Sequence, residues 1–166
     1  MLLTTLMLIP LVGSIVVFLL PAAKATLAKQ IALGFALATL VGSVLMVLGL
    51  DNSSGGLQQV ESYDWIPAFG ISWTLGVNGI SASLIVMAAI LVPVVIVAGW
   101  WDAENSGRGT VKGFFALILA LEVFIIGVFT ANDLFLFYVF FEAMLFPIYF
   151  LIGRFGGPQR AYAAMK

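Results

Sequence analysis

Five long apolar runs separated by short charged breaks make up most of this chain. They span residues 2–20; 30–50, between Lys29 and Asp51; 79–101; 113–132, between Lys112 and Asp133; and 134–153. About 20 apolar residues wound as a helix cross roughly 30 Å of hydrocarbon, so each run is long enough for one crossing. The runs are continuous rather than alternating, which excludes porin-type strands of about 10 residues. The fold class is therefore an all-α polytopic membrane bundle of about five helices. Pro10 and Pro93 fall inside runs and are expected to kink them.

The connection 51–78 has a pattern of its own. "NSSGG" (52–56) is a flexible turn. Beyond it Ile71, Trp73, Leu75 and Val77 alternate with Ser72, Thr74 and Gly76, the period of a strand. A short strand or hairpin on the outer surface, with Trp65 and Trp73 near the headgroups, and a plain loop carrying interfacial aromatics both satisfy this pattern. Asn78–Gly79 is suited to starting the third helix.

Composition places the pattern in a membrane: 63% of residues are hydrophobic, 9% are charged, and mean hydropathy is +1.17. A soluble domain carries about 25% charged residues. Net charge is −1 without a basic run, which argues against nucleic acid as a partner. Cys and His are absent, which removes disulfides, iron–sulfur clusters, the usual zinc sites and His- or Cys-ligated haem. Acid–base work would fall to Glu, Asp, Lys or Tyr.

The seven basic residues mark one side of the membrane. Lys24 and Lys29, Arg108 and Lys112, and Arg154, Arg160 and Lys166 all lie there if five runs cross. By the positive-inside rule that side is the cytoplasm and the N-terminus is outside. Asp51, Glu61, Asp64 and Asp133 take the other side. "PAAKA" (21–25) faintly resembles a signal cleavage site, but no Lys or Arg precedes it and the apolar core is too long. Gly156, Gly157 and Pro158 end the fifth run, and "RAYAAMK" reads as the start of another helix. A longer membrane protein is expected.

Two acids interrupt the runs, Glu122 in the fourth and Glu142 in the fifth. Each is about ten residues from the turn at 132–133, so at about 1.5 Å per residue both lie near the midplane. Insertion at that depth costs roughly 2.5–3.5 kcal/mol for Asp, Lys or Arg. Such a residue is tolerated when it faces a polar interior, finds a partner, or carries protons or ions. Tyr138 and Tyr149 share a helical face with Glu142, and Pro147 leaves the carbonyl of Ala143 without its usual donor. Together they suggest a polar stripe. Glu122 has Ile118, Leu119, Ile125 and Ile126 around it and no polar companion on its own face. The candidates for proton transfer are thus Glu142, then Glu122, with Tyr138 and Tyr149 as supporting polar groups. The plain alternative is that the acids fasten helices together and the tyrosines pack.

The stretch "FTANDLFLFYVFFEAMLFPIYFLIGRFGGPQRAYAAMK" (129–166) resembles the antiporter-like membrane subunits of bacterial proton-pumping NADH–quinone oxidoreductase, respiratory complex I, in the subunit M or chain 4 group. "YDWIPAFGISWTLGVNGIS" (63–81) resembles an outer segment of the same subunits, and the two stretches cover about a third of the chain. The family pattern usually has Asp where this chain has Asn78. The resemblance implies about fourteen helices with two inverted five-helix repeats. Residues 1–111 would hold three leading helices, and 112–166 would open the first repeat. It also implies that Glu142 is the family's proton-transfer glutamate, paired with a lysine beyond Lys166. Further implications are a bacterial inner-membrane location and partners among neighbouring antiporter-like subunits. NADH, FMN, iron–sulfur clusters and quinone would belong to partner subunits, with no cofactor or metal in this chain. A subunit of a multi-subunit cation/proton antiporter and a non-transporting scaffold are the competing readings.

Overall fold

A computed structural model describes residues 1–51, 56–101 and 109–165. Residues 52–55 of the "NSSGG" turn, Arg108 and Lys166 lie outside the described residues. Five helices are long and apolar enough to span a membrane: α1 (Leu2–Leu19), α2 (Ala25–Leu48), α3 (Gly79–Ala98), α4 (Val111–Thr130) and α5 (Leu134–Phe155). Strands β1 (Gln58–Ile66) and β2 (Ile71–Val77) stand between α2 and α3, and a short helix α6 (Arg160–Met165) follows α5.

Helix limits differ from the apolar runs where a charge finds shelter. Helix α2 begins five residues before the run and takes in Lys29, which is buried with its ammonium 5.4 and 4.9 Å from the rings of Trp100 and Trp101. A cation held on aromatic faces can be desolvated at a bundle end. Helix α4 likewise takes in Lys112, which donates to the carbonyls of Phe18 and Leu20 at 2.9 and 2.8 Å and so closes the C-terminal end of α1. Helix α3 stops at Ala98, short of the two tryptophans. Its start is fixed by a capping box, in which Asn78 accepts from the Ser81 amide and Ser81 from the Asn78 amide. Asp133 caps α5 by accepting from the amides of Phe135 and Leu136.

Helix α4 is the hub and packs on α1, α2, α3 and α5. Close approach relies on glycine, as is usual between membrane helices. A Cβ on Gly127 would lie 2.6 Å from Phe140 of α5, and one on Gly13 would lie 2.5 Å from Phe35 of α2. Two apolar clusters fill the bundle. One lies at the hairpin end, built around Leu3, Leu6, Ile126 and Leu136, and the other at the opposite end, around Val17, Ala32, Ile96 and Phe115.

The strand reading of the connection holds, and its form is a hairpin. β1 and β2 pair antiparallel, with Tyr63 opposite Trp73 and Glu61 opposite Leu75, joined by a 3-10 turn over Pro67–Phe69 and a left-handed Gly70. Alternation fails at the end of β2, where Leu75, Gly76 and Val77 are all buried because the strand enters the bundle. There Asn132 donates to the carbonyl of Thr74 at 2.8 Å and Ala131 bridges Leu75, tying the α4–α5 turn to the sheet. Trp73 stacks edge-on against both Trp65 and Phe140, at 6.1 and 5.5 Å.

Glu61 fastens the hairpin to α1. Its carboxylate accepts from the amides of Leu3 (2.9 Å) and Thr4 (3.2 Å) and from the Thr4 hydroxyl, and pairs with the Met1 ammonium at 2.7 Å. Burial alone would raise the proton affinity of this group, but the ammonium, the hydroxyl and the two amides together outweigh it and hold the carboxyl below its ordinary range. The stabilisation is therefore complete above the usual carboxylate range and is lost as pH falls through the lowered value. Glu61→Gln is expected to lower the thermal midpoint at neutral pH and to flatten its fall on acidification. Thermal unfolding of the full-length protein in detergent from neutral to strongly acidic pH checks this, and parallel wild-type and variant curves would remove Glu61 as the tie.

Candidate functional site: two mid-membrane acids

The α4–α5 turn sets the depth of both acids. Glu122 lies eight residues before the end of α4 at Thr130, and Glu142 eight residues after the start of α5 at Leu134. Each is on the order of 12 Å from the hairpin end of its helix. The expected common depth on adjacent helices is what the structure shows. The two side chains do not meet a common environment, however.

Glu122 is sealed in. It is 0% exposed, and neither carboxyl oxygen has a hydrogen-bond partner among the described residues. Helix α4 is central and packs on four other helices. Ser14 of α1 donates to the carbonyl of Ala116 at 2.8 Å, which fixes the antiparallel α1–α4 register and brings Met7 and the buried Pro10 to the level of Glu122. On α2, Thr39 lies nine residues from the helix end at Leu48 and so at a similar depth. Thr39 and Ser43 are fully buried, and their hydroxyls donate back to Phe35 (3.0 Å) and Leu40 (2.8 Å). Their remaining lone pairs can only accept. An unpartnered charge here would cost several kcal/mol. The sequence reading missed the two hydroxyls; a Thr and a Ser four residues apart in an otherwise apolar run were the available signal.

Glu142 is open. It is exposed on the flank of the bundle, as are Tyr138 at 56% and Tyr149 at 49%. Tyr138 stands one turn before Glu142 on the same face of α5. Tyr138, Glu142 and Tyr149 are all exposed in a line along α5, and the Pro147 ring is buried. Phe141, Leu145 and Phe146 flank the line and are likewise exposed. An acid, two phenols and a surrounding aromatic surface can bind, hold and pass a proton. No group of three His, Cys, Asp or Glu able to hold a metal occurs among the described residues.

The charged groups sit at opposite ends. Lys24, Lys29, Lys112, Arg154 and Arg160 gather at one end, and Glu61, Asp64 and Asp133 lie at the hairpin end.

The family described as "NADH:quinone oxidoreductase/Mrp antiporter, TM" matches residues 131–166, the segment that carries Glu142. NADH-quinone oxidoreductase subunit M of Mycobacterium tuberculosis is 38% identical over 99% of this chain and 34% of its own length. F(420)H(2) dehydrogenase subunit M of Methanosarcina mazei is 36% identical over 97% of this chain and 31% of its own length. NADH-ubiquinone oxidoreductase chain 4 of Arabidopsis thaliana is 35% identical over 98% of this chain and 32% of its own length. Among solved structures, a chain of respiratory complex I from Thermus thermophilus with bound NADH superposes with a TM-score of 0.78. It is 27% identical, over 99% of this chain and 31% of that one. The chain thus spans about a third of the length of the relatives it matches.

The environment of Glu122 yields a stability test. Replacing a buried polar group that lacks a partner by an apolar one of similar shape is close to neutral, whereas removing a hydrogen-bonded one costs about 1–3 kcal/mol. Glu122→Met is expected to leave the thermal midpoint of the full-length protein unchanged or higher. A clear fall would reveal a partner that fastens Glu122.

Proposed function

We propose that this chain is a member of the NADH:quinone oxidoreductase/Mrp antiporter membrane family, whose model matches residues 131–166, and that it supplies the proton-transfer carboxylate of a proton-translocating subunit of respiratory complex I. The observation that carries this reading is Glu142: an acid at mid-membrane depth, on the segment the family matches, in line with two tyrosines. Its flank faces away from the other four helices, where a proton path and a cation on a further helix would meet it.

In this proposal Glu142 takes a proton in its charged form and gives it up when a lysine ammonium approaches and stabilises the carboxylate again. That lysine belongs to a helix outside this sequence. Tyr138 donates to the carboxylate while it waits, and Tyr149, about 10 Å further along the helix, extends the line towards the basic end. Glu122 is the second acid on the route, reached only when water enters the core beside it. NADH oxidation through FMN and iron–sulfur clusters, and quinone reduction, take place in partner subunits, and this chain contributes no redox group.

The same reading sets the placement. Residues 1–111 form the leading helices with their outer hairpin, and residues 112–166 open the first antiporter-like repeat. The subunit sits in a bacterial inner membrane beside other antiporter-like subunits, with the hairpin outside and the basic end in the cytoplasm. The relatives named as subunits of NADH-quinone oxidoreductase, F(420)H(2) dehydrogenase and NADH-ubiquinone oxidoreductase favour this over a cation/proton antiporter.

The test is NADH-driven proton uptake by the full complex in vesicles. Glu142→Gln is expected to bring pumping to background while the complex still assembles. Tyr138→Phe is expected to lower it by less, at most on the order of ten- to a hundredfold, since one hydrogen bond to a charged group is worth roughly 1.5–3 kcal/mol. Wild-type pumping by Glu142→Gln would remove this residue from proton transfer, and failure to assemble would assign it a structural role.

A further inference from the structure

A cleft of about 440 Å³ opens on the outside of the bundle between α1, α4 and α5, towards the basic end. Its floor is the small-residue face of α4 at Gly113, Ala116 and Ala120, and its walls include Ile15 and Phe18 of α1 and Phe150 of α5. The wall offers no spare donor from Ser14, whose hydroxyl is committed to the Ala116 carbonyl. From Ala120 to Gly113 the floor runs about 10 Å along the helix axis. It starts near mid-membrane and ends at the charged boundary, so it lies within one leaflet of a hydrocarbon layer roughly 30 Å thick.

Arg154 stands at the mouth. It is exposed in the last turn of α5 and has no hydrogen bond or ion pair among the described residues. Its Nε lies 2.8 Å from where a Cβ on Gly109 would be, at a backbone position with φ +88°. The guanidinium therefore rests on a bare stretch of main chain that a side chain would block. The neighbouring Lys112 ammonium is already engaged by the carbonyls of Phe18 and Leu20. An apolar slot one leaflet deep with an unpaired guanidinium at its rim matches a ligand with a hydrocarbon tail and an anionic head. A planar guanidinium pairs with phosphate in fork geometry.

We propose that this cleft binds one anionic glycerophospholipid from the leaflet at the basic end, with an acyl chain along Ala116 and Ala120 and the phosphate on Arg154. The inference stands apart from the proton-transfer reading, since it uses neither Glu122 nor Glu142. The test places a photo-reactive p-benzoylphenylalanine at Ile15, which is half-exposed and tolerant of change, and separately at Leu117 on the cleft lining. The full-length chain is used in its complex, in vesicles of equal parts dioleoylphosphatidylglycerol and dioleoylphosphatidylcholine. Mass spectrometry of the adducts is expected to show lipid at both positions, with phosphatidylglycerol favoured roughly fivefold, the ratio that one basic residue at the surface supplies. Arg154→Gln is expected to bring that ratio to the vesicle composition without abolishing lipid adducts. Adducts to polypeptide at both positions would show that protein fills the cleft. An adduct ratio that ignores Arg154 would remove the headgroup site. Either result overturns the proposal.

Discussion

A carboxyl group inside a bilayer must be protonated, partnered or wetted, because no protein contact at this depth offsets an isolated charge. This chain places two carboxyls at one depth and meets the constraint in two ways. Glu122 is on the central helix, fully buried, with no hydrogen-bond partner for either oxygen among the described residues. Glu142 is on the outermost side of α5, open and accompanied by Tyr138 and Tyr149. Among these five helices α4 touches four others and α5 lies at the edge.

The hairpin controls the depth of both acids. Thr74 and Leu75 hold the α4–α5 turn at Asn132 and Ala131, and Trp73 reaches down to Phe140, two residues before Glu142. Glu61 locks the same sheet onto the first turn of α1. The register between α1 and α4, fixed at the other end by Ser14 and Lys112, then places each acid eight residues below the turn. Polar contacts at the two ends thus position groups in a middle that offers almost none.

Helix number and acid depth could be read from the chain because both depend on counting along one dimension. An apolar run of bilayer length gives a crossing, and residues counted from the turn give a depth. Helix ends could not be read where Lys29 and Lys112 looked like stops, since the tryptophan rings and α1 carbonyls that shelter them come from distant segments. Strand β2 could be read from its alternation. β1, "QQVESYDWI", could not, because most of its residues are exposed and no periodic burial is imposed on it. The split between the two acids was legible only in part, as tyrosines beside Glu142 and isoleucines beside Glu122. Which side of α4 and α5 meets protein was not, because apolar residues occur on every side of both helices. Glu61 looked like one more outer charge, yet its donors lie 57 and 58 residues earlier.

The central claim is that the open acid changes protonation during turnover and that its neighbourhood is built for that change. Infrared difference spectroscopy of the full complex, recorded as NADH is added, reports carboxyl protonation directly through the carbonyl stretch of the neutral acid. The account predicts a carboxyl band that appears or disappears with turnover and is absent in Glu142→Gln. A difference spectrum identical in wild type and Glu142→Gln would contradict it.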